Sequence, residues 1–172
     1  MKAEAANTHK EQPENAEIQG KYLTFWTDEQ LFGIPIAEVV QIVGVQEITT
    51  MPDYPSYMKG IIHLRGSVIP LMDVRLRLGR TEAEYTDRTC IIITNINERY
   101  FGLIVDGVDE VTHIEDAQIA DPPRVGGDSE NKYLTGVATL ENTKDHTEKI
   151  ILCMDVTKLL GEGVFAALME KL

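Results

Sequence analysis

Apolar residues fall along this chain in short runs rich in β-branched and aromatic side chains. Clusters of turn-forming polar residues separate the runs, and no long stretch keeps a helical period. Residues 21–26 form one such run, Thr27-Asp28-Glu29-Gln30 reads as a turn, and 31–34 predicts the returning strand of a hairpin. Strands are predicted over 39–43, 61–64 and 68–71, the last two joined by a tight turn at Arg65-Gly66, where glycine supplies the positive φ. The pattern repeats over 89–94 and 100–105, around Asn95-Ile96-Asn97-Glu98, and again over 133–140 and 149–154. Residues 115–131 turn polar, with Pro122-Pro123 and Gly126-Gly127, and predict a long surface loop. Residues 1–20 predict a disordered acidic tail, and 164–171 a short helix within a C-terminal segment 162–172. Many short strands at this spacing predict a mainly β fold of small barrels or a sandwich, not a doubly wound sheet.

The chain also echoes itself. Phe32-Gly33-Ile34 returns as Phe101-Gly102-Leu103, and the offset of 69 residues from Gly33 to Gly102 also sets Ile36 on Val105, Val39 on Val108 and Ile42 on Val111. Met72-Asp73-Val74, followed by Leu78-Gly79, returns 82 residues later as Met154-Asp155-Val156, followed by Leu160-Gly161. An insertion in the long loop of the second half accounts for the larger offset. Two units with the same order of strands and turns predict a duplicated architecture. Asp73 and Asp155 each end a strand ahead of a short helical run closed by glycine, which suits an N-cap and a left-handed C-terminal glycine. The alternative, a carboxylate pair for acid–base work, needs the two together, and one Asp per half sets them apart.

Composition narrows the classes of function. The 172 residues fit one domain or two small subdomains sharing a core, and 43% hydrophobic residues argue against wholesale disorder. A formal net charge of −12 argues against nucleic acid or an anionic membrane as partner. No apolar stretch approaches the roughly 20 residues that span a bilayer, so no direct membrane insertion is expected, and no signal-peptide pattern opens the chain. Cys90 and Cys153 sit in apolar strand-like contexts, as small buried hydrophobes do, and predict no disulfide framework; the expected compartment is the cytoplasm. Lys59, Arg65, Arg75, Arg77 and Arg80 cluster in sequence, whereas 103–123 holds six acids and no Lys or Arg. That bias suits docking to more than one protein, or is a solvated charge distribution.

The search for chemistry finds little. There is no phosphate-binding G-x-x-x-x-G-K-[ST], no H-E-x-x-H, no C-x-x-C and no G-x-S-x-G. Gly161-Glu162-Gly163 is half of a dinucleotide fingerprint without its βαβ unit and reads as a hinge. His9, His63, His113 and His146 show no ligand spacing, and no metal or other cofactor is expected. The acids Asp106, Asp109, Glu110, Glu115, Asp116 and Asp121 lack the alternation and final Glu of a calcium loop and read as a solvated face. The remaining enzymatic alternative is a small hydrolase using a Cys90–His63 pair; the expectation is no enzyme.

One segment carries a recognisable pattern: Gly60-Ile61-Ile62-His63-Leu64-Arg65-Gly66-Ser67-Val68-Ile69-Pro70-Leu71-Met72-Asp73-Val74-Arg75-Leu76-Arg77-Leu78-Gly79. It resembles the central motif of the CheW family of chemotaxis coupling proteins, as do Gly33-Ile34-Pro35-Ile36, Gly102-Leu103-Ile104-Val105-Asp106-Gly107-Val108 and Tyr133-Leu134-Thr135-Gly136-Val137-Ala138, in the family's order. The resemblance implies two intertwined, SH3-like, five-stranded β-barrel subdomains with short helices over 21–161. It implies a non-enzymatic scaffold that links the cytoplasmic helical hairpin of chemoreceptors to the regulatory domain of the histidine kinase CheA, at receptor arrays beneath the inner membrane. By the same resemblance a receptor groove falls on Val39, Gln41, Ile42, Arg65, Cys90 and Val111, and kinase contact on Val45 and Ile48. A related expectation is an adaptor of a chemotaxis-like pathway controlling pili or surface behaviour. His63 stands where the family usually has Asn, Gln41 where an acid is common, and Cys90 where Val is common, which bears on receptor choice.

Overall fold

The computed structural model describes residues 18–123, 130–142 and 144–161. The expected helix in 162–172 and nearly all of the expected tail lie outside the described residues. The strands are β1 (Lys21–Thr27), β2 (Gln30–Pro35), β3 (Val39–Gly44), β4 (Met58–Leu64), β5 (Ser67–Asp73), β6 (Cys90–Ile96), β7 (Arg99–Val105), β8 (Gly107–His113), β9 (Ile119–Ala120), β10 (Leu134–Asn142) and β11 (Thr147–Met154). Two short helices follow the repeated Asp residues, α1 (Val74–Arg77) and α2 (Val156–Leu160). Both Asp residues are caps: Asp73 accepts from the Leu76 N–H and Asp155 from the Lys158 N–H. Gly79 and Gly161 both take a positive φ of +79°, which favours glycine after each helix, although Gly161, with ψ of 140°, is extended beyond the left-handed helical region expected of it.

Two sheets result, ordered β3-β6-β7-β5-β4 and β8-β1-β2-β11-β10-β9. Each mixes strands from both repeats, which is the physical content of "intertwined": β3 leaves the first half to pair with β6, and β8 leaves the second to pair with β1. The ladders match residue for residue at the repeat offsets. Phe25 faces Val108 as Thr94 faces Val39, and Thr24 faces Glu110 as Ile93 faces Gln41, with a bulge between the two pairs in each case. In the parallel ladders Gly33 faces Cys153 as Gly102 faces Leu71. The hairpin turns repeat too, with positive φ at Asp28-Glu29 and at Asn97-Glu98, the two-residue turn that a right-twisted ribbon favours.

Strand alternation divides the core into three. Ile62, Ile69, Leu71, Ile91, Ile93 and Ile104 form one buried cluster on the first sheet. Leu31, Ile114, Ala138, Ile151 and Cys153 do the same in the second. A larger central cluster, including Phe25, Phe32, Met72, Phe101, Leu103 and Met154, fills the space between the sheets. Strands such as β6 send alternate isoleucines to either cluster, which is why their sequence reads as an unbroken apolar run. Neither ladder closes, but the chain leaving each edge strand returns to bridge the opposite edge. Thr49 pairs with Ile61 of β4, and β9 pairs with β10. Gly60 makes the first return possible: a Cβ there would sit 2.1 Å from the Thr49 carbonyl oxygen.

Three features differ from the sequence expectation. β8 was not foreseen, because its acids Asp109 and Glu110 read as a solvated run. The second sheet carries a sixth strand, the two-residue β9. The polar stretch 115–131 holds a 3₁₀ turn at Asp116–Gln118, then β9, and a second 3₁₀ turn at Glu130–Tyr133.

Candidate partner-binding surfaces

β3 is the edge strand of its sheet, with β6 on one side only. Its alternation turns Val39, Gln41 and Val43 inward to half-buried positions, and Val39 packs against the central cluster. Val40 and Ile42 face outward, 47% and 42% exposed, and Val45, just past the strand, is 39% exposed. An edge of this kind offers unpaired backbone groups together with apolar side chains, the features a partner segment uses.

β8 is the counterpart edge, and Val111, the repeat equivalent of Ile42, is 50% exposed. Its charged residues are tied down. Lys149 Nζ donates to Asp109 and Glu110 at 2.8 Å each, and the Thr24 hydroxyl donates to Asp109 at 3.0 Å. Asp106 receives Arg75 through both carboxylate oxygens, at 3.2 and 3.1 Å, and Asp28 pairs with Arg75 and Arg80. Lys59 pairs with Glu82, and the Arg77 Nε–H donates to the Leu159 carbonyl. The basic and acidic stretches therefore meet at Arg75 and Asp106, and most of the remaining clustered cations are paired elsewhere on the fold, with Asp28, Glu82 and the Leu159 carbonyl. Of the five clustered cations, Arg65 alone has no side-chain partner among the described residues.

Arg65 sits on the β4–β5 turn with φ of +54°, followed by Gly66 at +82°, so its side chain is presented to solvent. It stands on the far hairpin of the sheet from β3, with β6 and β7 between. Cys90 starts β6 opposite Gly44 of β3 and packs half-buried against the central cluster. Burial pushes its thiol pKa up, with the Val108 backbone acting the other way, so Cys90 joins the end of β3 to the start of β8. A raised thiol pKa is the opposite of an activated nucleophile. His63 lies on β4, with β5 and β7 between it and Cys90 in the sheet order, so the layout gives a Cys–His pair no support. Ile48 is half-buried against the first barrel core, whereas Val45 is open. Sequence reasoning missed Trp26, 40% exposed on β1, and Tyr85, whose hydroxyl donates to Asp73 at 2.9 Å. Neither lies in a motif that could have marked it.

The duplicated fold, with two matching open edges, defines a binding module of SH3-like subdomains. Comparison with known proteins gives the same answer. The family model described as CheW-like domain matches residues 21–163. The chain is 30% identical over 146 residues to the chemotaxis protein CheW of Klebsiella aerogenes, covering 85% of this chain and 84% of that one. It is 34% identical over 140 residues to a probable chemotaxis protein CheW of Rhizobium etli, covering 81% and 86%. The crystal structure of the scaffolding protein TtCheW from Thermoanaerobacter tengcongensis superimposes with a TM-score of 0.74 at 31% identity, covering 84% of this chain and 94% of that one. This chain belongs to the CheW-like family. Among the described residues, no helix is long and apolar enough to cross a membrane.

Proposed function

We propose that this chain is a scaffold, without catalysis of its own, that couples the cytoplasmic tips of chemoreceptors to the regulatory domain of the histidine kinase CheA in arrays beneath the inner membrane. The reading is carried by one observation in a chain of this family: Ile42 and Val111, equivalent residues of the two repeats, stand 42% and 50% exposed on the edge strands of the two sheets. A receptor helical hairpin lays its apolar stripe along such an edge, with Val39 and Gln41 shaping the floor and Cys90 the end, while Arg65, on the far hairpin of the same sheet, is free for a charge-assisted hydrogen bond to a separate part of the receptor tip. The kinase domain takes the barrel end around Val45, with the exposed part of Ile48. Coupling is then a matter of assembly: a change in receptor conformation biases the kinase because both are held by one rigid body.

The test is a titration of the labelled protein against a CheA regulatory domain and a receptor-tip hairpin, separately and together. Both arms should bind at roughly micromolar Kd, a typical affinity for transient assemblies. Arg65→Glu should weaken the receptor arm and leave the kinase arm and the melting temperature unchanged. Binding of neither partner would end the proposal.

A further inference from the structure

Beside Cys90 opens a cleft of about 930 Å³. Trp26 of β1 and Val108 of β8 line one side, and Glu84, Thr86 and Arg88 from the connection between α1 and β6 line the other. That connection is held down along its length. Arg75 donates to the Thr81 carbonyl at 3.1 Å, and Lys59 pairs with Glu82. The Tyr85 hydroxyl donates to Asp73 Oδ2 at 2.9 Å, and Thr86 and Thr89 close a turn on each other at the start of β6. Asp73 is 2% exposed and already caps α1 through Oδ1, so its two oxygens bind two different pieces of chain. Its repeat counterpart Asp155 also caps a helix but receives no tyrosine among the described residues. The duplication thus supplies the cap twice, and only the first half uses it to fix a strap.

We propose that residues 81–89 form a fixed wall of a receptor-contacting cleft, that Tyr85 is the positioning residue setting this wall through Asp73, and that a docked receptor helix covers Trp26. The receptor as occupant rests on the function proposed above. The placement follows from continuity: the sulfur of Cys90 meets the Val108 backbone that lines the cleft, and Cys90 faces Gly44 at the end of the open β3 edge. A helix lying along β3 therefore runs toward Trp26. The exposed indole offers a broad apolar face, the kind of anchor that dominates interface energetics. Loss of the Tyr85 hydroxyl leaves one Asp73 oxygen without its donor and frees the strap.

Trp26 is the only tryptophan of the chain, so it can be read alone. The experiment uses full-length protein carrying 5-fluorotryptophan, in wild type, Tyr85→Phe and the control Tyr100→Phe, whose ring is 41% exposed on β7. The fluorine resonance is followed against receptor-tip hairpin and, separately, kinase regulatory domain, with hydrogen exchange measured on the free proteins. Receptor should shift the resonance and kinase should not. Tyr85→Phe should speed exchange across 81–89 and weaken receptor binding about five- to tenfold, with kinase affinity unchanged, while Tyr100→Phe behaves as wild type. A resonance indifferent to bound receptor overturns the cleft contact. Equal loss toward both partners, or unchanged exchange in Tyr85→Phe, overturns the positioning role. Failure of wild-type protein to bind receptor overturns the functional reading and the cleft's role with it, whereas exchange still decides whether Tyr85 holds the strap.

Discussion

Arg77 of α1 donates its Nε–H to the carbonyl of Leu159 in α2 at 2.6 Å, and the two residues occupy the same place in the two repeats, 82 positions apart. The Arg77 guanidinium also lies over Tyr57 at 4.6 Å and over Tyr133 at 5.2 Å. Those tyrosines are themselves equivalent: the Tyr57 carbonyl accepts from Asp73 N–H and the Tyr133 carbonyl from Asp155 N–H, at 2.8 and 2.9 Å. Arg77 therefore sits where the repeats meet and breaks their symmetry by bonding to both.

This contact predicts a stability effect without a binding effect. Arg77→Ala removes a charge-assisted hydrogen bond to a helix-end carbonyl and two aromatic contacts, a loss of about 2 kcal/mol. Arg77→Lys should recover less than half, because an ammonium lacks the planar fork that reaches the carbonyl while stacking on the rings. Urea unfolding should show lower midpoints with an unchanged slope. A midpoint equal to wild type for Arg77→Ala would remove Arg77 from the account.

Much of the fold was legible because local chemistry and tertiary structure agree. The hairpins, both Asp caps, both closing glycines and the two echoes lie in the sequence, and the echoes correspond to superimposable ladder registers. β8 was not legible, since a strand paired on one edge carries charges that look like loop. The pairing of β3 with β6 and β8 with β1 was equally hidden, because strand exchange between equivalent halves leaves every local pattern unchanged. The charge distribution left two readings open for a related reason: Arg75 lies 31 residues from Asp106 in sequence and at hydrogen-bond distance in space. Of the candidate site, Ile42 and Val111 were placed by the resemblance alone, because alternation along an apolar run does not separate an exposed position from a core one, and their exposure came from the structure. Tyr85 and Trp26 matter through tertiary contacts that no short motif encodes.

The parallel ladders make a sharp prediction about glycine. A Cβ on Gly102 would lie 2.4 Å from Leu71 Cδ2 and 2.8 Å from Ile91 Cγ2, both fully buried. Gly102→Ala overpacks the first barrel core and should cost about 1–3 kcal/mol. Gly44 has nothing within 4 Å of its would-be Cβ, so Gly44→Ala should change stability by less than about 0.5 kcal/mol. Thermal melts of the pair decide it, and equal effects would contradict the packing.

Cys153 predicts an alkaline pH dependence. It holds the place of Leu71 in the second barrel, is 1% exposed, and burial pushes its thiol up from 9.0 to about 11. A group whose folded pKa is raised keeps its proton longer in the folded state, so its contribution is intact below pH 9 and is lost as pH rises toward 11. Stability should fall by about 1 kcal/mol per pH unit across that window beyond the losses from other groups. Cys153→Val, which cannot ionise, should lose less over the same range while matching wild type near pH 7. Urea unfolding at pH 7, 9 and 10.5 checks this, and parallel curves for the two proteins would refute it. At pH 8 the native thiol should also resist a disulfide reagent until denaturant is added.

The two open edges, finally, should not be equivalent in function. Ile42 is flanked on the same open face of β3 by the exposed apolar residue Val40, whereas Val111 follows Asp109 and Glu110, which are already bound by Lys149. A receptor helix with an apolar stripe gains a continuous surface at β3 and only an isolated contact at β8. Ile42→Asp should therefore weaken receptor-tip binding at least tenfold, and Val111→Asp only a few-fold, because a charge inside a continuous apolar contact must be desolvated without a partner. Both side chains are about half exposed, so each variant should stay within about 1 kcal/mol of wild-type stability. Titration and thermal melts on the same preparations separate the effects. A larger binding loss for Val111→Asp than for Ile42→Asp would move the docking edge from the first sheet to the second.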